Sequence, residues 1–169
     1  MNSIADNLIK TLKLTTHEEG GYYKETFRSD VLLRTDRPEN EGIRCLATSI
    51  YYMLTATSPI GFFHKNESPI LHFYHSGGAM IYRLIHPDGS TEEHILGPEV
   101  SKGHCLQFLA PGGCWKSTEL ESGSEYGLVS EVVFPGWELF DSVIADKNEL
   151  LAAFPQHAKW IEQFSLKEK

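Results

Sequence analysis

Three histidines, His64, His72 and His75, fall inside the stretch GFFHKNESPILHFYHSGG, between two apolar runs and ahead of a Gly-Gly turn. An imidazole changes charge near neutral pH, so it can take a proton from carbon or ligate a metal. His72 and His75 are an odd number of residues apart and face opposite sides of an unbroken strand. A second stretch, LAPGGCWKS, sets Lys116 just behind Pro111-Gly112-Gly113. An ammonium there could stabilise an enolate or hold an anionic group, and it would repel a cation. Trp115 adjoins Lys116, so if Lys116 lines a pocket on a regular strand, Trp115 belongs to the packing. A third cluster, His17, Glu19, Tyr23 and Glu25, brackets Gly20-Gly21. It reads either as the rim of a pocket or as an anchor in which Glu19 and Glu25 pair with Arg28 or Arg44. Phe62 shares a strand face with His64 and is either core or a stacking surface for a ring.

These residues need a scaffold, and the spacing of turns supplies it. Ser3 and Asp6 form a capping-box pattern ahead of Ile4, Leu8, Ile9 and Leu12, which predicts a short amphipathic helix to about Lys13. Residues 22–28 alternate as a strand, and a polar loop around Pro38 follows. Further strands are expected at 44–55, 70–75, 79–86, 91–96, 105–110, 114–120 and 127–134, with Gly77-Gly78 reading as a hairpin turn. Turn signals about every eight to twelve residues mark an all-β sandwich or jelly roll. Asp146 with Glu149 caps a C-terminal helix, and Pro155 starts another with Trp160, Ile161 and Phe164 on its apolar side. The expected organisation is one domain over 1–169, with a β-core at about 20–141 and a helical C-terminus at about 146–165.

The 169 residues carry 15 basic and 23 acidic side chains, a net charge of −8, without a Lys/Arg run. That balance argues against nucleic acid or an anionic membrane as partner. Cys45, Cys105 and Cys114 are odd in number and lack CxxC spacing, so free thiols in a reducing, cytoplasmic compartment are expected. No apolar stretch approaches the ~18 residues of a membrane span. Walker A, GxGxxG, GxSxG and HExxH patterns are absent from the sequence.

In order along the chain stand His17-Glu18-Glu19-Gly20-Gly21-Tyr22, Ser49-Ile50-Tyr51-Tyr52, His64, Leu96-Gly97 and Pro135-Gly136-Trp137. This ordered set, over about 6–154, resembles the cupin superfamily and, within it, the branch called cupin family five. The resemblance implies a double-stranded β-helix (the cupin jelly roll), a homodimer, and a pocket at one end of the barrel that carries Ser49 among its residues. It also makes the 22–28 strand a candidate for exchange between subunits. The chain departs from the pattern at Pro69-Ile70, where the branch has Asp-Glu, and at His72, where it has Trp. Lys116 stands where a metal-binding cupin has its third histidine.

The metal motif is therefore incomplete: a divalent ion, if present, would rest on His64 and His72, and no cofactor is expected. The resembling sugar epimerases of this superfamily use a histidine base and a tyrosine acid. By that likeness His64 is the base, Tyr51 or Tyr74 the acid, and Lys116 the enolate or anion contact. His17, Glu19, Glu25, Ser49, Phe62 and His72 would complete a site for a small, anionic, sugar- or nucleotide-like ligand. Three readings follow: metal-independent epimerase or isomerase, non-catalytic binding or sensor module, and metal-dependent oxygenase or isomerase.

Overall fold

The structure, a computed structural model, describes residues 3–37 and 42–166. Residues 38–41, the centre of the loop expected around Pro38, lie outside the described residues. In chain order the elements are α1 (Ile4–Leu12), β1 (Thr15–Thr16), β2 (Tyr22–Arg28), β3 (Leu32–Arg34), β4 (Ile43–Cys45) and β5 (Thr48–Thr55). Then come β6 (Ile60–Asn66), β7 (Ile70–Gly77), β8 (Met80–Ile85), β9 (Thr91–Leu96), β10 (Gln107–Ala110), β11 (Trp115–Leu120), β12 (Tyr126–Val133) and β13 (Ser142–Ile144). Helices α2 (Lys147–Ala153) and α3 (Ala158–Phe164) complete the chain.

Two antiparallel sheets face each other, one ordered β1-β2-β5-β12-β7-β10 and the other β13-β6-β11-β8-β9. Strand alternation decides what lies between them. Even-numbered residues of β5 point inward, so Tyr52 and Leu54 join Met80, Tyr82, Leu84, Phe108 and Val129 in a core that fills one end of the barrel. Odd-numbered Met53 points outward and packs with Ala5, Leu14 and Leu128 beneath α1. On the outside of the second sheet, Phe63 and Ile85 pack with Leu150, Ile161 and Phe164 of the C-terminal helices. Each outer face is thus covered in part by helix, and the unfilled end of the barrel remains open. Among the described residues no helix is long and apolar enough to cross a membrane.

Several boundaries differ from the sequence expectation. The run 44–55 is two strands, because β4 turns away to pair with β3 in a separate ribbon. Gly77-Gly78 does not close a hairpin: β7 lies between β12 and β10, whereas β8 lies between β11 and β9. The turn carries the chain from one sheet to the other. At Gly77 φ is +93°, and a Cβ would collide with the Tyr126 carbonyl, so glycine is required there. The hairpin is instead β8–β9, closed around Pro87-Asp88-Gly89. In α1 the Ser3–Asp6 capping box forms, but Ile4 is 57% exposed and Ala5 takes its place on the buried face. Strand β2 pairs with β5 from Tyr22 to Arg28. The three cysteines are free; Cys45 and Cys114 are buried and Cys105 half-buried.

Candidate functional site

The open end of the barrel holds a cavity of about 300 Å³, into which His17, Glu19, Tyr52, His64, Lys116 and Glu131 all project. Two sheets supply these groups from opposite sides: Tyr52 and Glu131 from β5 and β12, His64 and Lys116 from β6 and β11. Glu19 arrives from the turn between β1 and β2, which is tied down at several points. The Phe62 N–H donates to the Glu19 carbonyl at 2.7 Å, and the Tyr52 hydroxyl donates to the Gly20 carbonyl at 3.0 Å. Gly20 and Gly21 have φ of +98° and +73°, with the backbones of Ile60 and Met53 where side chains would stand. Two glycines thus let the turn press against β5 and β6 and carry Glu19 to His64.

The His64 ring is fixed at one nitrogen and poised at the other. Nδ1 lies 2.8 Å from the Phe62 carbonyl, which can only accept, so Nδ1 carries the hydrogen. Nε2 then faces Glu19 Oε2 at 3.3 Å, while Glu19 Oε1 accepts from the Ser142 hydroxyl at 2.7 Å. Burial pushes His64 below the ordinary imidazole range; Glu19 opposes the shift and Lys116 adds to it. An unprotonated ring nitrogen opposite a carboxylate is a receptor for one proton.

Beneath this pair lies a second network. Lys116 Nζ is 3.3 Å from His72 Nε2 and 3.8 Å from Glu131 Oε2. His72 Nδ1 lies 3.2 Å from Glu131 Oε1, close but poorly aligned for a hydrogen bond. The His72 ring is fully buried and stacks on Phe108 at 4.6 Å, with Tyr82 at 4.7 Å. Burial and the adjacent ammonium lower its pKa to about 4. Burial alone would raise Glu131, but Lys116 and His72 outweigh it and hold the carboxyl well below the usual range.

Acid should therefore unfold this protein readily. An unfolded His72 takes up a proton below 6.5, whereas the folded one resists until about 4. Between those values the unfolded chain binds more protons, so stability is lost as the pH is lowered from 6.5 to about 4, by ~3 kcal/mol from His72 alone. Glu131 adds a further loss below the ordinary carboxylate range, because its folded-state pKa is depressed. Urea titrations stepped from neutral pH to pH 4 should show the decline, and His72→Gln should flatten it. A level profile in the wild type would contradict this account.

The site residues expected from sequence divide clearly. His17, Glu19, Glu25, His64 and Lys116 line the cavity, and His72 sits directly under it against Lys116. Glu25 is also gripped by Arg28 at 2.9 Å, while Arg44 pairs with Asp141 instead. Tyr51 is not in the cavity: it lies on the outward face of β5, edge-on to His75 at 5.8 Å. Ser49 shares that face and is likewise absent from the cavity walls. Tyr74 packs on the filled part of the barrel and donates its hydroxyl to the Gly77 carbonyl at 2.6 Å. Phe62 contributes its backbone rather than its ring. Trp115 points away from the cavity, under Lys65, as the placement of Lys116 requires.

A family model described as Cupin superfamily (DUF985) matches residues 6–145. The chain belongs to the cupin superfamily. The uncharacterized protein YML079W of Saccharomyces cerevisiae is 38% identical over 149 residues, which span 82% of this chain and 74% of that one. A hypothetical protein from Leishmania major superposes with a TM-score of 0.90 at 29% identity, covering 98% of this chain and all of that one. Protein SO0799 from Shewanella oneidensis does so with 0.86 at 30% identity, over 99% and 100%. Oxalate decarboxylase of Bacillus subtilis shares the fold alone, with a TM-score of 0.54 at 17% identity; the match covers 91% of this chain and 38% of that one.

Metal-binding cupins need about three histidine or carboxylate donors with open positions. In this cupin the Lys116 ammonium donates to the His72 lone pair, and Glu131 faces both. His64 has only Nε2 to offer, and Glu19 stands opposite it at 3.3 Å. Among the described residues no group of three His, Cys, Asp or Glu side chains is arranged to hold an ion. The donor set does not fit a divalent cation.

Several groups of the cupin cavity escaped the sequence reading, Asn66, Thr118 and Ser142 among them, and two further omissions bear on the chemistry. Glu131 sits in GLVSEVVF, in phase with Val129 and Val133 on the inward face of β12. A carboxylate alternating with valines on an otherwise apolar strand was the available signal. Tyr52 takes the place expected of Tyr51, one residue away and on the opposite face.

Proposed function

We propose that this cupin binds a small organic molecule in the barrel mouth and moves a proton on a carbon beside a carbonyl, without a metal ion. The observation that carries this reading is the His64 Nε2–Glu19 Oε2 pair, 3.3 Å apart at the cavity wall with Nδ1 already committed. The C–H proton passes to Nε2, and the bonding electrons move onto the carbonyl oxygen as an enolate. The Lys116 ammonium, held at the cavity wall, stabilises that oxygen. Tyr52 supports the return step: its phenol is buried on the facing sheet, with a pKa raised well above the usual value by burial, Glu131 and Glu19. It therefore stays protonated. Turned from the Gly20 carbonyl, to which it donates at 3.0 Å, it can deliver that proton to the opposite face of the carbanion, which inverts the carbon. The proton held by His64 then restores the phenol through solvent. Where the deprotonated carbon bears a hydroxyl, the enolate oxygen takes the hydroxyl's proton and a new carbonyl forms there. Return of the first proton from His64 to the former carbonyl carbon then gives isomerisation instead.

Deuterium wash-in tests the proposal. Candidate carbonyl compounds incubated with the protein in heavy water should gain one mass unit at the carbon beside the carbonyl. Ligand-dependent thermal stabilisation without exchange for any bound compound would make the cavity a binding or sensor module instead.

A further inference from the structure

We propose that the ligand of this cavity is an uncharged, hydroxyl-rich molecule of monosaccharide size, and that phosphorylated and nucleotide-linked sugars are excluded. This rests on the proton-transfer reading and names its substrate class. It also departs from the anionic ligand that Lys116 suggested in the sequence.

Charge comes first. Glu18, Glu19, Glu25 and Glu131 line the cavity against the single lysine, Lys116. That lysine is already engaged by His72 and Glu131. Arg28, paired with the cavity residue Glu25, is closed onto Glu25 and Glu138, each at 2.9 Å. A phosphate would bring about two negative charges into walls where carboxylates already outnumber cations.

Backbone donors give the same answer. Phosphate sites are commonly built from free N–H groups at turns and helix starts. Here four rim amides are spent inside the protein, beginning with Glu19 N–H on His17 Nδ1 at 3.1 Å and Gly21 N–H on Ser58 Oγ at 2.9 Å. On the opposite lip the Trp137 N–H donates to Thr48 Oγ1 at 3.0 Å and the Glu138 N–H to Asp141 Oδ2 at 2.8 Å.

What the walls do offer suits hydroxyl groups. Carboxylate oxygens accept from alcohols, and Asn66 can both donate and accept. Ile50, Ile70, Val133, Ile144 and Trp137 supply an apolar wall for the C–H face of a sugar ring. At about 300 Å³ the cavity stands at the small end of ligand clefts, too small for a nucleoside diphosphate and a sugar together.

The test compares fructose and other free hexoses, their 6-phosphates, a nucleoside diphosphate hexose and glucosamine on the full chain, by thermal shift and titration calorimetry. A free hexose at 100 times its Kd should raise Tm by about 5 °C or more. Its phosphorylated counterpart should bind at least ~10-fold more weakly, a gap that narrows as salt screens the walls. Equal or tighter binding of the phosphorylated or nucleotide-linked sugar overturns the inference, as does preference for glucosamine or failure of every free sugar to bind. A free sugar that binds without deuterium exchange would remove the proton-transfer reading and leave the ligand class standing. Exchange seen with phosphorylated sugars alone would do the reverse.

Discussion

Asp141→Asn should lower stability by about 3–5 kcal/mol, the usual cost of stripping one partner from a buried ion pair. Asp141 and Arg44 are each 1% exposed at their side chains and meet at 2.6 Å. The same carboxylate accepts the Glu138 N–H at 2.8 Å and draws Arg37 to 3.6 Å. The amide would keep the shape but remove the negative charge that the buried guanidinium meets at 2.6 Å. For a chain of this size the melting temperature should drop on the order of 10 °C. The double variant Arg44→Met/Asp141→Leu should recover much of the loss, since apolar replacements of matched volume often equal a buried pair. Thermal melts of the three proteins decide the matter. A single variant within a degree or two of wild type would mean that the pair holds nothing together. Asp141 also anchors the lip from Trp137 to Ile144, so the asparagine variant should bind ligand less tightly at temperatures where it remains folded.

His64→Asn should cut deuterium exchange by ~10²–10³-fold, within the range that a positioned general base supplies. Asparagine is chosen because its amide nitrogen can still donate to the Phe62 carbonyl in place of Nδ1, at 2.8 Å in the wild type. The basic Nε2 alone is removed, and the melting temperature should shift only modestly. Residual exchange is expected because Glu19, 3.3 Å from that nitrogen, remains to accept a proton. Glu19→Gln should therefore reduce exchange less than His64→Asn, and the double variant should abolish it. Exchange that continued unchanged in His64→Asn would place the base elsewhere.

Residue order carried some features of this cupin and withheld others for identifiable reasons. Alternation was enough to set Lys116 against Trp115 and to separate His72 from His75. The same rule says that one of Tyr51 and Tyr52 points inward without saying which. That depends on which face of β5 is roofed by α1 and which meets the opposite sheet, a contact between distant segments. Gly77-Gly78 likewise looks the same whether the chain folds back on itself or crosses to another sheet. The choice is made by the pairing of β7 with β12, about fifty residues on. Glu131 hid among valines because its burial is stabilised by Lys116 and His72, neither of which is near it in the chain.

The hydrogen bond from Ser142 to Glu19 joins positions 123 residues apart. During synthesis, Glu19 leaves the ribosome long before its partner exists, and the His64 pocket has only half its lip until β13 follows. Ligand cannot template the early steps of folding, because the surface it recognises is assembled last. A truncation that removes β13 and the helices behind it would delete the clamp on Glu19 as well as the cover over β6, even though none of the cavity imidazoles is lost. The finished cavity thus reports that the chain has been made at least as far as β13.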